Sequence, residues 1–135
     1  MILRKPKRPK MGVREPCPTV FPRHRRYVKS FGCSVPGCTN SPIYFAHQRT
    51  AANAGTGDKP HDAFGIGYCL EHHTEEHTKG PEHMRQTYGV ERWQLAGYFV
   101  RHSPDRGMRQ SFERLPFALQ GLLLEERLSS SAGGF

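Results

Sequence analysis

The 135-residue chain is 36% apolar and carries 20 Lys and Arg against 12 Asp and Glu, a formal charge of +8. That length suits one domain, but the low apolar share, with 14 Gly and 11 Pro, excludes a large hydrophobic core, so something besides burial has to help hold the fold together. There is no run of 18 apolar residues, and the basic N-terminus lacks the apolar stretch of an export signal, so neither a transmembrane helix nor secretion is expected.

Residues 1–30 hold ten Lys and Arg and one acidic residue, whereas residues 31–135 hold ten and eleven, so the whole positive excess is N-terminal. Arg4, Lys5, Lys7, Arg8 and Lys10 are interleaved with Pro6 and Pro9, which forbid a continuing helix. Residues 1–22 therefore read as a disordered basic arm. Such an arm can track phosphates and add affinity through counterion release; the competing reading is a solvated tail. Arg23, Arg25 and Arg26 stand where the fold is expected to begin and could continue the same phosphate-contacting surface. A membrane-surface role wants an amphipathic helix or a lipid anchor, and neither signature is present.

Residues 42–47 have the β-branched and aromatic content of a short strand. Residues 50–61 read as a loop by their Gly, Asn, Asp and Pro, and residues 64–69 as a second short strand. Residues 70–79 lack Gly and Pro and predict a helix, ended by Gly80-Pro81. Residues 82–101 read as helical with a break near Gly89, and Trp93, Leu95, Ala96, Phe99 and Val100 form a core-facing stripe. Residues 103–107 are a turn, residues 116–128 a Leu-rich helix, and residues 129–135 a flexible tail.

The informative excess is four Cys and eight His. Cys33 and Cys38 flank a Pro36-Gly37 turn, and Cys69 is followed by His72, which gives Cys-x4-Cys and Cys-x2-His. Two such turns supply the four thiolate or imidazole ligands of a tetrahedral structural zinc. Disulfides involving Cys17 would need an oxidising compartment, and isolated thiols usually sit among apolar neighbours rather than Ser, Pro, Gly and His. Cys17 has no partner at ligand spacing. A zinc site would also answer the small-core problem, because metal binding contributes folding free energy.

A second cluster follows. His73 and His77 are four apart on the predicted helix and share a face. His73 adjoins His72 but points about 100° away from it, so the two can serve different metals. His47 ends the first predicted strand, and Asp62 lies in the loop before the second. Each has a plain alternative: solvated helix histidines beside Glu75 and Glu76, a strand-end polar residue, a turn cap.

Cys33-x4-Cys38, Phe45-Ala46-His47, Gly57-Asp58-Lys59-Pro60-His61-Asp62 and Cys69-x2-His72-His73-x3-His77 together resemble the HNH (ββα-metal) endonuclease superfamily. The likeness is to the phage and prophage branch that holds the RecA-dependent recombination-enhancement nucleases. It covers residues 23–88. The resemblance implies an α+β fold, a small zinc-stabilised ββα-metal finger with added C-terminal helices over residues 89–128. It implies His47 as general base, Asp62 as the residue orienting it, His73 and His77 as ligands of a catalytic divalent metal (Mg, Mn, Ni or Zn), and Cys33, Cys38, Cys69 and His72 as the structural zinc ligands. Many members carry Asp or His just before the general base, as a further metal ligand; here that position is Ala46, which leaves His47 and His61 as alternatives for the base. Apart from the resemblance, Arg49 or Lys59 could clamp a nonbridging phosphate oxygen; the alternative for either is a solvated loop charge. The implied activity is DNA phosphodiester hydrolysis of low sequence specificity in phage or prophage DNA recombination, in the cytoplasm, with DNA and a RecA-type recombinase filament as partners and no membrane.

Two rival classes remain. A non-catalytic zinc-binding nucleic-acid adaptor would keep the four zinc ligands and the arm and leave His47 and Asp62 idle. A protein-interaction module would rest on Leu115, Leu119, Leu122, Leu123, Leu124 and Leu128, whose spacing packing of a terminal helix explains equally well.

Overall fold

A computed structural model describes residues 19–50 and 60–124. Residues 51–59 of the loop predicted over 50–61, with Lys59, lie outside the described residues, as do Cys17, Arg4, Lys5, Lys7, Arg8 and Lys10 of the basic arm, and residues 125–135.

The chain is α+β, built on one two-stranded antiparallel sheet. Helix α1 spans Pro22–Lys29, with proline at its first turn and Arg26 and Lys29 in its last, where cations complement the helix dipole. Strand β1 (Ile43–His47) pairs with β2 (Gly65–Cys69), placing Ile43 opposite Cys69 and His47 opposite Gly65. A short 3-10 turn, Asp62–Phe64, leads into β2. Helix α2 (Leu70–Lys79) starts directly after β2 and stops at Gly80, whose φ of 89° favours glycine. Pro81 then opens α3 (Pro81–Tyr88), closed by left-handed Gly89. Helix α4 runs Arg92–His102. Helix α5 (Arg106–Glu113) is capped by Asp105, which accepts from the Met108 amide. Residues 117–124 are helical as well.

Strand alternation assigns the two faces of the sheet. On one face stand Ile43, Phe45 and His47, opposite Cys69, Gly67 and Gly65. Gly65 and Gly67 leave that face of β2 nearly bare. A Cβ on Gly65 would lie 1.9 Å from the Phe45 ring, and one on Gly67 would lie 3.0 Å from the Gly32 carbonyl. Gly65 thus makes room for the Phe45 ring, and Gly67 lets α1 and its exit turn close onto the strand. The other face carries Tyr44 and Ala46, with Tyr44 stacked on His73 of α2, ring centroids 6.2 Å apart. The sheet is therefore sandwiched between α1 and α2, and every residue of β2 is buried.

Two boundaries differ from expectation. The fold starts before residue 23: Phe21 is buried, and the Asp62 amide donates to the Thr19 carbonyl at 3.0 Å. Of the expected helical extension over 89–128, the described residues 89–124 pack onto the rest. Phe64 lies edge-on to Trp93 of α4 and Phe112 of α5, Tyr27 lies edge-on to Phe99, and Ser103 bonds His24 at 2.8 Å. The C-terminal helices and the ββα segment share one core. No helix among the described residues is long and apolar enough to cross a membrane.

Candidate functional site

Cys33 and Cys38 flank the turn between α1 and β1, Cys69 ends β2, and His72 is in the first turn of α2. Their ligand atoms all lie within 4.8 Å of one another, close enough to hold one metal ion. Cys38 Sγ is 3.9 Å from Cys69 Sγ, and His72 Nδ1 is 3.4 Å from Cys33 Sγ and 3.2 Å from Cys69 Sγ. Bonds of about 2.3 Å to sulfur and 2.0 Å to nitrogen give tetrahedral edges of roughly 3.5–3.8 Å, so the donors already stand near ligand separations. Burial pushes the Cys33 thiol up to about 11. At Cys69 burial opposes ionisation too, but the His72 backbone amide and the Cys33, Cys38 and Asn40 side chains outweigh it and hold the thiol at about 7.

His73 and His77 present Nε2 atoms 3.0 Å apart, the separation of two neighbouring ligands each about 2.1 Å from one ion. His73 loses basicity through burial first and through His77 second. Ala46, on the α2 face of β1, is buried and offers no third donor.

At the end of β1, His47 Nε2 bonds Asp62 Oδ1 at 2.8 Å. Asp62 is fully buried and takes three more bonds, from the Phe21 amide at 2.7 Å and from Arg25 Nε and Nη2 at 2.7 and 2.8 Å. Burial alone would raise the Asp62 carboxyl; the bonds from His47, Arg25 and Phe21 overcome it and bring the pKa to about 2. An ionised carboxylate only accepts, so His47 carries its proton on Nε2. Arg25, expected on a phosphate-contacting surface, has its guanidinium fork committed to Asp62 and lies over the Phe45 ring at 5.2 Å.

His61 is placed differently. It is buried, its Nδ1 accepts from the Ala63 amide at 2.9 Å, and its Nε2 faces Ser111 Oγ at 2.9 Å. With Nδ1 accepting, Nε2 holds the proton and donates to Ser111. Both nitrogens are occupied, and burial lowers the pKa to about 4. His61 caps the 3-10 turn that carries Asp62 and has no nitrogen left to serve as a base.

His47 and His77 line the same open cleft of about 260 Å³, together with Arg49, Gln48, Glu76 and Arg92. Arg49, expected to contact phosphate, is exposed there; Arg23 and Arg26 are exposed along α1. Arg92 Nη1 donates to the Arg49 carbonyl at 3.2 Å, and its guanidinium lies 4.2 Å from the Trp93 ring centroid. Burial lowers its pKa, with Glu76 acting the other way. Gln48 reaches Glu76 Oε1 at 3.3 Å, and the buried Tyr68 hydroxyl acts on the same carboxylate. Burial raises the Glu76 carboxyl despite the bond from Gln48. Arg92, Gln48 and Glu76 escaped the sequence reading. Arg92 sits in a stretch legible only as a helix start, and nothing in its spacing points back to β1.

The buried histidines predict a pH dependence of stability. His24 and His61 both titrate near 4 in the fold, chiefly through burial, against 6.5 for the free side chain. The unfolded chain therefore binds more protons between those values, so stability is full above pH 6.5 and falls as the pH drops toward 4. Asp62 then adds a loss as the pH falls from 3.8 toward about 2. Urea midpoints measured with saturating metal should fall between pH 7 and pH 5, on the order of 2 kcal/mol per histidine. His61→Asn should flatten that slope; an unchanged slope would contradict the assignment.

Compared with protein-family models, curated proteins and solved structures, the chain matches none of them.

Proposed function

We propose that the chain is a metal-dependent endonuclease of the HNH (ββα-metal) type that hydrolyses DNA phosphodiester bonds with little sequence specificity. The carrying observation is that one cleft is lined by a histidine oriented by a buried carboxylate and by His77, one of two imidazoles that α2 brings within 3.0 Å of each other. The order β1, β2, α2 and the Cys3His set at the β2–α2 junction fit a zinc-stabilised ββα finger. Zinc suits the four-ligand site by donor type and spacing.

His47 is the general base. It takes a proton from water through the ring nitrogen not bonded to Asp62, the water oxygen bonds to phosphorus, and the bond to the 3′-oxygen breaks in line. Asp62 fixes the tautomer and the ring plane. A divalent ion held by His73 and His77 would neutralise the scissile phosphate and the leaving 3′-oxygen. Arg92 and Arg49 place positive charge at the cleft, where each can bind a nonbridging oxygen. The backbone is the contacted part of the substrate, which carries little sequence information. DNA is the partner, and a RecA-type filament is the candidate co-factor of a recombination role.

The test is cleavage of single-stranded, duplex and branched DNA with Mn²⁺ or Mg²⁺, with and without a recombinase, alongside a metal count. Metal-dependent cleavage, with one tightly held zinc and a second exchangeable ion per chain, is expected. One zinc, no second ion and DNA binding without cleavage would instead make the protein an adaptor.

A further inference from the structure

Asp62 accepts from four donors, and two of them belong to Arg25 of α1. That is more than orienting a histidine needs. A lone buried carboxylate beside an imidazole tends to draw a proton onto it and make an ion pair, because the low-dielectric interior strengthens the attraction. Protonated His47 could not accept a proton from water. A second charge opposite to Asp62 removes that tendency. Arg25 is the group placed to supply it: its fork spans both carboxylate oxygens, and Gly67 lets α1 lie close against the strand.

We propose that Arg25 is a positioning residue, whose guanidinium neutralises Asp62 and so keeps His47 a neutral imidazole with its proton on Nε2. The other charged and titratable groups around His47 are accounted for. Arg49, Glu76, His77 and Arg92 line the cleft. His61 and His24 lie behind Asp62 and are held neutral by burial. None of these bonds the carboxylate; Arg25 does so twice. The role in catalysis rests on the nuclease reading, but the protonation state of His47 does not.

The experiment uses the full, metal-loaded chain. Two-bond proton–nitrogen spectra of the histidine rings at pH 7.5 report which nitrogens of His47 carry protons, and plasmid nicking with Mn²⁺ is read in parallel. In the native chain, His47 should show a protonated Nε2 and an unprotonated Nδ1. In Arg25→Gln, Nδ1 should shift toward the protonated value and nicking should fall at least tenfold. Arg25→Lys keeps the charge and should recover both in part. A native nitrogen pattern retained in Arg25→Gln would reduce Arg25 to a structural residue. The native spectrum decides even if Arg25→Gln fails to fold, since a proton on Nδ1 of the native ring would overturn the inference. Absence of nicking by every form, with the nitrogen pattern shifting as described, would defeat the nuclease reading and leave this inference standing.

Discussion

Cys69→Ser should cost the protein both its tightly held metal and its cooperative unfolding transition. Cys69 is the last residue of β2 and directly precedes α2, so a metal there ties the turn carrying Cys33 and Cys38 to the strand and to the helix that carries His73 and His77. The chain is only 36% apolar, and besides a metal the turn is held to β2 chiefly by two Ser34 bonds to the Gly67 carbonyl and by buried Val35. Apparent zinc-binding energies of about 10–16 kcal/mol in small metal domains equal or exceed the roughly 5–15 kcal/mol that separates folded from unfolded states. Thiol-to-hydroxyl exchange removes the group already nearest to ionisation, since Cys69 is the cysteine held at about 7. Elemental analysis should show less than half the native metal, and the thermal transition should broaden or vanish. Chelation of the native protein should give the same curve, and added zinc should restore it only in the native chain. Full metal content with an unmoved melting temperature in Cys69→Ser would mean that the four side chains do not form a metal site.

The parts of the fold legible in the sequence were those set by short-range pattern. The strands at 42–47 and 64–69 and the helix at 70–79 come from β-branched residues, glycine and proline placement, and are found within a residue or two. The metal ligands come from spacing, which is local too. Helix α1 went unread because its buried stripe is His24 and Val28, and a histidine among four cations counts as charge rather than core. Helix α5 buries Met108, Ser111 and Phe112, a correct helical spacing in a segment too short and polar to stand out. The roles of Arg25 and His61 could not be read at all. Their partners are 37 and 50 residues away, and a cation near a basic arm looks the same whether it meets DNA or a buried carboxylate. The same blindness made residues 89–128 look separable. The polar contacts that join them to the rest run through two serines, Ser103 to His24 and Ser111 to His61, and the ring contacts of Phe64 and Tyr27 with Trp93, Phe112 and Phe99 span segments far apart in the chain.

His47 and His61 are near neighbours of one carboxylate, and substituting each should separate chemistry from stability. His47→Ala removes the proposed base but leaves Asp62 bonded to Arg25 and Phe21, so no buried charge is stranded. The ring itself stands at the end of a strand with one edge on the cleft. Cleavage should fall about 10²- to 10⁴-fold, the usual worth of a positioned general base, at native metal content and within about 1 kcal/mol of native stability. His61→Ala has the opposite profile. It opens a cavity and strips the Ala63 amide of its acceptor; an unsatisfied buried group costs about 1–3 kcal/mol. The folded fraction, corrected for by urea titration, should still cleave within about threefold of the native rate, because His61 contributes no free nitrogen to the cleft. Single-turnover rates on a plasmid substrate and unfolding curves on the same preparations check both. An inverted result, with His61→Ala folded but inert and His47→Ala active, would move the base to His61 and require the 3-10 turn to rearrange before reaction.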